Sequence, residues 1–230
     1  MATNYTYTKY TATNGVVLHT IKTTPKNIIL KAISSAVTSS SQPNYGINGG
    51  FFDFSTQNIL SIAVNNHAPV KGAAGDYGVG WTNAGTAKRG TLVWDDAAGK
   101  YSVQVTDSAS NLTVTDKTKY WAQGGISMSL GNDSGWAAQA DAEKMPNRTG
   151  KVERAGLVYN TGLNIWLVVT NTNCTAAEFR TAIKEKVGSG TLVNGIFLDG
   201  SGSSQMKCAE ASVSGDGRKV PEMVALKDKS

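Results

Sequence analysis

"LNIWLVVTNTNCTAAEFRTAIKEKVGSGTLVNGIFLDG", Leu163 to Gly200, changes its pattern twice. It begins with an apolar run, Leu163 to Thr170, of the length of a buried strand. Thr175 and Glu178 then stand at the spacing of a capping box, and Phe179, Ile183 and Val187 recur at i, i+4 and i+8, on one face of a helix. Gly188 supplies a helix stop, and Leu192 to Gly200 reads as a second buried strand. Strand, helix and strand predict a βαβ crossover, right-handed, with parallel strands. Parallel strands would send Asn171–Thr175 and Asp199–Ser204 out of the same carboxyl edge of the sheet, where ligand crevices form.

Upstream, the text reads as β. "GVVLHTIKT" and "NIILKAISSAV" are rich in β-branched residues between turn formers, and "GTLVWDDAAGKYSVQV" predicts a hairpin around Asp96 to Gly99. Ser108 to Lys117 alternates weakly and is expected to continue the sheet. Gly131 to Gly150 is irregular, with a short helix predicted in "WAAQADAEKM". The fold class expected is α+β: β-rich mixed sheets with a βαβ crossover in the C-terminal half. One domain is expected over residues 1–230, its N-terminal half antiparallel β and its C-terminal half α/β.

With 230 residues the chain can bury a core without metal or disulfide support. Charged residues make up only 17%, and Thr, Ser, Asn and Gly abound, a composition that leans toward a secreted, extracytoplasmic or virion-associated protein. The net charge of +5 is spread over scattered lysines and arginines, without the basic stripe of a nucleic-acid binder, so no nucleic-acid partner is expected. No apolar run reaches the roughly 18 residues of a membrane span, so no membrane insertion is expected, and the opening "MATNYTYTKYTATNG" lacks signal-peptide character. Cys174 and Cys208 fit no zinc framework; the crossover could bring them within bridging distance, and both a disulfide and two inert thiols are compatible with their positions.

Two stretches call for more than packing. In "GINGGFFDF", Gly46 to Phe54, the adjacent Gly49 and Gly50 cost backbone entropy and pack nothing, so something must approach the main chain closely. In "LDGSGSSQM", Leu198 to Met206, a buried strand ends on Asp199, and small residues let backbone N–H groups turn inward. Ser201, Ser203 and Ser204 would add hydroxyls to such an oxyanion nest. Read alone, the loop is equally a tight turn capped by Asp199. "GSGSS" has glycine where a nucleophile elbow needs serine, and His19 and His67 lie in strand-like surroundings, which argues against a serine-hydrolase triad. Walker A, dinucleotide and zinc signatures are absent.

Together, "INGGFFD", "RAGLVYNTGLNIWLVV", the capped helix and "LDGSGSS" resemble, in order and spacing, the phosphodiester glycosidase family, over roughly Val16 to Met206. The family pattern is N-G-G-F/Y-F, an Arg-Thr-Ala-like strand opening, then L-D-G-G-G-S-S/T. Several positions depart from it. Ser201 replaces the middle glycine, a change the nest accepts if φ stays negative, and Ala155 replaces the threonine after arginine. Thr170-Asn171-Thr172 stands where an acidic Asp-Gly-Arg-like triplet is usual.

The resemblance implies a hydrolase that cleaves a sugar-1-phosphodiester at the anomeric carbon, with a carbohydrate phosphodiester as partner and no cofactor, although oxygen ligands around Asp199 would also accept a divalent cation. The missing acidic residue near Thr170 leaves a non-catalytic glycan- or phosphate-binding module as the alternative. On that pattern Asp199 is the first choice for the catalytic carboxylate and Asp53 the second, with Asp76 and Glu153 in reserve. Arg154 rather than Arg148 is preferred as the phosphate clamp, although both are candidates. Asn48 would hydrogen-bond sugar hydroxyls, Gly49 and Gly50 would admit sugar or phosphate against the main chain, and Phe51 could lie beneath a sugar ring. Gly200, Ser201, Gly202, Ser203 and Ser204 would line the nest.

Overall fold

The computed structural model describes residues 4–33, 41–83 and 87–229. The second half of the predicted strand "NIILKAISSAV", from Ser34 on, lies outside the described residues.

Three antiparallel sheets and two helices make up the architecture among the described residues. The first sheet runs in the order β1 (Thr6–Thr11), β2 (Val17–Thr23), β12 (Ile165–Cys174), β11 (Val152–Asn160), β13 (Leu192–Phe197), β10 (Ile126–Ser127). The second is β15 (Ser212–Val213), β14 (Met206–Lys207), β4 (Gly46–Asn48), β16 (Glu222–Leu226), β3 (Ile28–Ala32). The third is β6 (Ala68–Pro69), β5 (Ala63–Asn65), β9 (Tyr120–Gly124), β7 (Arg89–Asp95), β8 (Lys100–Thr106). The helices are α1 (Trp136–Ala142) and α2 (Ala176–Lys186).

The strand–helix–strand unit exists, but the sheet is not parallel. β11 pairs antiparallel with both β12 and β13, so the two predicted strands point the same way yet are separated by a third. An unbroken apolar run reports that both faces of a strand are covered; it does not report the direction of its neighbours. Both faces are indeed covered. Leu157, Tyr159, Leu167 and Val169 pack toward the other two sheets, while Val158, Val168 and Phe197 face Phe179, Ile183 and Val187 of α2. Thr175 caps α2 reciprocally with Glu178, a box of about 1 kcal/mol, and the three fully buried apolar side chains of its inner face add roughly 1.5–3 kcal/mol each.

The Asp95–Lys100 hairpin and the short helix α1 form where the sequence predicts them. Ser108 to Lys117 does not extend the sheet. It holds a 3₁₀ turn at Ala109–Asn111 capped by the Ser108 side chain, because a hydroxyl that bonds its own backbone competes with strand pairing. Cys174 and Cys208 are free thiols buried in different apolar clusters, and burial pushes both up to about 11.

The topology still delivers the edge that matters. β12 and β13 end, and β11 begins, on one side of the first sheet, so the start of β11 lies beside the loop after β13. A side chain on Gly200 would meet the carbonyl of Glu153 at 2.9 Å.

Candidate active site

Two glycine-bearing corners, about 150 residues apart in the chain, meet at Asn48. This residue is buried at the end of β4, between β14 and β16. Its Nδ2 donates to the main-chain carbonyl of Asp199 at 2.9 Å, and its Oδ1 accepts from the N–H of Gln205 at 3.0 Å. Its own N–H bonds the Gln205 carbonyl at 3.1 Å, so both ends of the 199–205 loop are tied to one side chain. Asn48 therefore shapes the loop, and its amide is committed to backbone rather than left free for sugar hydroxyls.

The double glycine has a physical cause. A Cβ on Gly49 would collide with the carboxyl of Glu222, and one on Gly50 would lie 2.5 Å from Ser61 Cβ and 2.8 Å from the Gly124 carbonyl. What approaches this main chain is protein: a buried carboxyl and the start of the third sheet. Phe51 is half-buried with Arg89 over its ring, its N–H bonded to Ser61 Oγ at 2.7 Å.

The Asp199 carboxyl is enclosed, although the residue keeps some solvent contact, and burial pushes it up to about 6. Against that rise, the nearby Ser203 hydroxyl, the Arg218 guanidinium and the Gly200 N–H favour the ionised form. Ser203 lies outside full hydrogen-bond geometry: its Oγ and that of Ser204 are buried with no protein partner. The loop is only in part the inward nest the sequence predicts. Ser203 N–H and Ser204 N–H bond the carbonyls of Gly200 and Ser201, closing a 3₁₀ turn.

Ser201 has φ +55°, so the condition for a serine here is not met, which is why glycine suits this position. A serine held in the left-handed region costs about 1 kcal/mol, partly offset by the greater freedom glycine has when unfolded. Ser201→Gly is accordingly expected to leave the unfolding free energy unchanged or raise it by up to about 1 kcal/mol, whereas Ser201→Val should lower it by more than about 1 kcal/mol in a urea titration.

The guanidinium near Asp199 is not the one chosen from the sequence. Arg154 is 4% exposed and donates to the carbonyls of Cys174, Asn147 and Gly150 at 3.1, 2.7 and 2.7 Å, bracing a loop. Arg148 forks onto Asp141 at 2.6 and 2.9 Å. Arg218 instead pairs with Asp216, interacts with both Asp199 and Glu153, and lies 5.7 Å from the ring centre of Phe54. Of the other carboxylates, Asp53 is spent on a turn, accepting from Ser55 and Thr56, which holds it down at about 2. Asp76 accepts from the Ala73 N–H on the exposed surface. Glu153 is raised by burial and then by Asp216, and its Oε2 is buried without a partner.

Two openings flank the Asp216–Arg218 pair. One of about 300 Å³ is lined by Lys151, Glu153, Asn173, Ser201, Gly202 and Asp216. Another of about 480 Å³ is lined by Phe54, Gln57, Gly217, Arg218 and Lys219, with Phe54 68% exposed. Hydrogen-bonding side chains edge one opening and an aromatic face the other, with the Asp216–Arg218 ion pair between them.

A family model described as "Phosphodiester glycosidase" matches residues 41–227. The chain belongs to the phosphodiester glycosidase family. Members of this family are hydrolases acting on carbohydrate, and its segment here contains every element of the site just described. No curated protein matches this chain. Among solved structures it resembles the zebrafish N-acetylglucosamine-1-phosphodiester alpha-N-acetylglucosaminidase catalytic domain, auto-inhibited by its pro-peptide. The TM-score is 0.65 at 12% identity, over 99% of this chain and 83% of that one. It also resembles a hypothetical protein from Synechocystis, with a TM-score of 0.56 at 11% identity, over 96% of this chain and 61% of that one. At these identities the likeness is one of fold.

The sequence reading missed Arg218, Glu222, Gln123 and Ser61. Glu222 alone leaves a trace, a single carboxylate inside the apolar strand "PEMVAL"; the others read as ordinary loop or strand residues.

Proposed function

We propose that this chain hydrolyses a sugar-1-phosphodiester at the anomeric carbon, releasing the sugar and a phosphomonoester. The observation that carries the reading is Asp199: an enclosed carboxyl, raised to about 6, beside a guanidinium and at the meeting point of two glycine-bearing corners. In this reaction the bond from C1 to the phosphate oxygen breaks, and its electron pair leaves with the phosphate. Positive charge develops at C1, and a carboxylate facing it stabilises that charge. Water supplies the hydroxyl of the released sugar. Phosphate leaves readily, so Arg218 needs only to neutralise it, while Asp199 in its ionised form faces the sugar carbon.

Turnover is therefore expected to rise as pH increases through about 6, following ionisation of Asp199. Arg218→Ala should lower kcat/KM about 10²-fold, and Arg218→Lys should restore little, because a point charge does not replace the fork. Initial rates across pH 4 to 8 for these variants check both statements.

A panel of glycosyl phosphodiesters assayed for released reducing sugar tests the activity. Release from at least one member supports it. Saturable binding without release from any member supports the non-catalytic glycan- or phosphate-binding module. That second reading draws on Thr170-Asn171-Thr172, which puts no carboxylate in this part of β12.

A further inference from the structure

Glu222 and Gln123 are 1% and 0% exposed, and each has one oxygen, Oε1, buried without a hydrogen-bond partner among the described residues. Their other atoms already meet. Glu222 Oε2 accepts from the Gly50 N–H at 3.0 Å and from Gln123 Nε2 at 3.5 Å. Gln123 Nε2 also donates to the carbonyls of Gly124 and Ile62 at 3.1 and 3.4 Å, which sets the orientation of its amide. If Glu222 were ionised, two buried acceptors would face each other's surroundings with no donor, at a cost of about 1–3 kcal/mol or more each. A single proton resolves both. With Glu222 neutral, its O–H donates to Gln123 Oε1 while Gln123 Nε2 donates to Glu222 Oε2, closing an acid–amide ring.

Among the described residues no charged group acts on Glu222. Besides burial, the groups that act on Glu222 are the Gly50 N–H, just after β4, and the Gln123 side chain of β9, and a Cβ on Gly49 would also meet its carboxyl. On its other edge Glu222 pairs with Ala32 of β3. Burial pushes the carboxyl up to about 8, in the same direction as the hydrogen-bond count.

The carboxyl is also placed to matter to the site. Its Oε2 holds the Gly50 N–H, its main-chain carbonyl holds the Gly49 N–H at 2.9 Å, and the next residue back, Asn48, holds the Asp199 carbonyl. We propose that Glu222 is a positioning residue that works as a neutral acid: ringed with Gln123, it fixes the Gly49–Gly50 corner and through Asn48 the Asp199 loop, and ionisation releases that hold. The catalytic consequence rests on Asp199 as the reacting carboxylate; the structural one stands on the geometry alone.

Glutamine is the matching variant, because its amide N–H replaces the acid O–H toward Gln123 Oε1. The sign of the pH effect follows from the direction of the shift. A folded-state value raised from 4.5 to about 8 contributes stability that is present in full below pH 4.5 and is lost as pH rises through about 8.

The full chain, labelled with ¹³C in the glutamate carboxyls, is titrated by NMR with the Glu222 signal assigned through its backbone. Glu222→Gln is followed by thermal unfolding from pH 5 to 9. The expected results are a Glu222 signal that titrates near pH 8, wild-type stability that falls as pH rises to about 8 and levels off beyond it, and a profile in Glu222→Gln that is flat above pH 6, where Asp199 has already ionised. Where turnover is measurable, the wild-type rate should be about tenfold lower at pH 9 than its plateau, while Glu222→Gln keeps its rate. A Glu222 signal titrating below pH 5, or the same loss of stability between pH 6 and 8 in Glu222→Gln, overturns the proposal. Absence of turnover on every substrate counts against the functional reading and leaves the NMR and unfolding results to decide this one.

Discussion

Replacing Asp199 by Asn is expected to lower sugar release from a glycosyl phosphodiester by about 10³-fold or more, and at the same time to stabilise the fold. Both effects come from the same carboxyl. In the proposed reaction the ionised form faces a developing positive charge, and burial makes that form costly in the resting protein. The folded-state value is raised from 3.8 to about 6, so the favourable contribution of the neutral acid is complete below pH 3.8 and gone above about 6. At pH 7 the fold bears the cost of the buried charge, about 3 kcal/mol as an upper figure and about 1–2 kcal/mol after allowance for the residue's partial solvent contact.

Asparagine keeps the shape and removes the charge, and the main-chain carbonyl that Asn48 holds is untouched. Denaturant unfolding at pH 7 should show the gain, and at pH 4 the gain should shrink, because the wild-type acid is then largely neutral. Unchanged turnover in Asp199→Asn would remove Asp199 from the chemistry.

Gly50→Ala is expected to have the largest effect on stability, a loss of about 3 kcal/mol. The new methyl would lie 2.5 Å from Ser61 Cβ and 2.8 Å from the Gly124 carbonyl. Ser61 is fully buried, and Gly124 is main chain inside β9, paired with Thr91 of β7, so neither can rotate away. The corner would have to shift as a whole, straining the Gly50 N–H bond to Glu222. Gly131→Ala is the control, since a Cβ there meets nothing within 4 Å; it should stay within about 0.5 kcal/mol of wild type. Urea midpoints that fall for Gly50→Ala at constant slope, with Gly131→Ala unchanged, would agree with this account.

These cases show what local pattern conveys and where it stops. The α2 helix, its cap and both flanking strands were legible because each depends on residues within a few positions of one another. The direction of the strand inserted between them was not, since β11 precedes both in the chain and enters their gap only in three dimensions. The meeting of "INGGFF" with "LDGSGSS" could be expected from the resemblance, and Asn48 and Asp199 do lie together. The reason for the double glycine could not, because the groups that fill the space, Ser61 and Glu222, lie 11 and 172 residues away and look unremarkable in their own segments. Arg218 escaped notice for a similar reason. Arg154 opens a periodic strand and so draws attention, but a side chain 4% exposed must satisfy its donors on nearby carbonyls. Arg218 sits in "GDGRK", which carries no periodicity, yet its loop folds back onto Gly202 and Asp199.

A crystal structure of Asp199→Asn with an intact glycosyl phosphodiester tests the central claim most directly. The account predicts the anomeric carbon beside residue 199 and the phosphate on Arg218, with the two halves of the ligand in the openings on either side of the Asp216–Arg218 pair. A ligand seated instead in the lysine-bordered cleft of Lys26, Lys119 and Lys227, at the other end of β9, would contradict it.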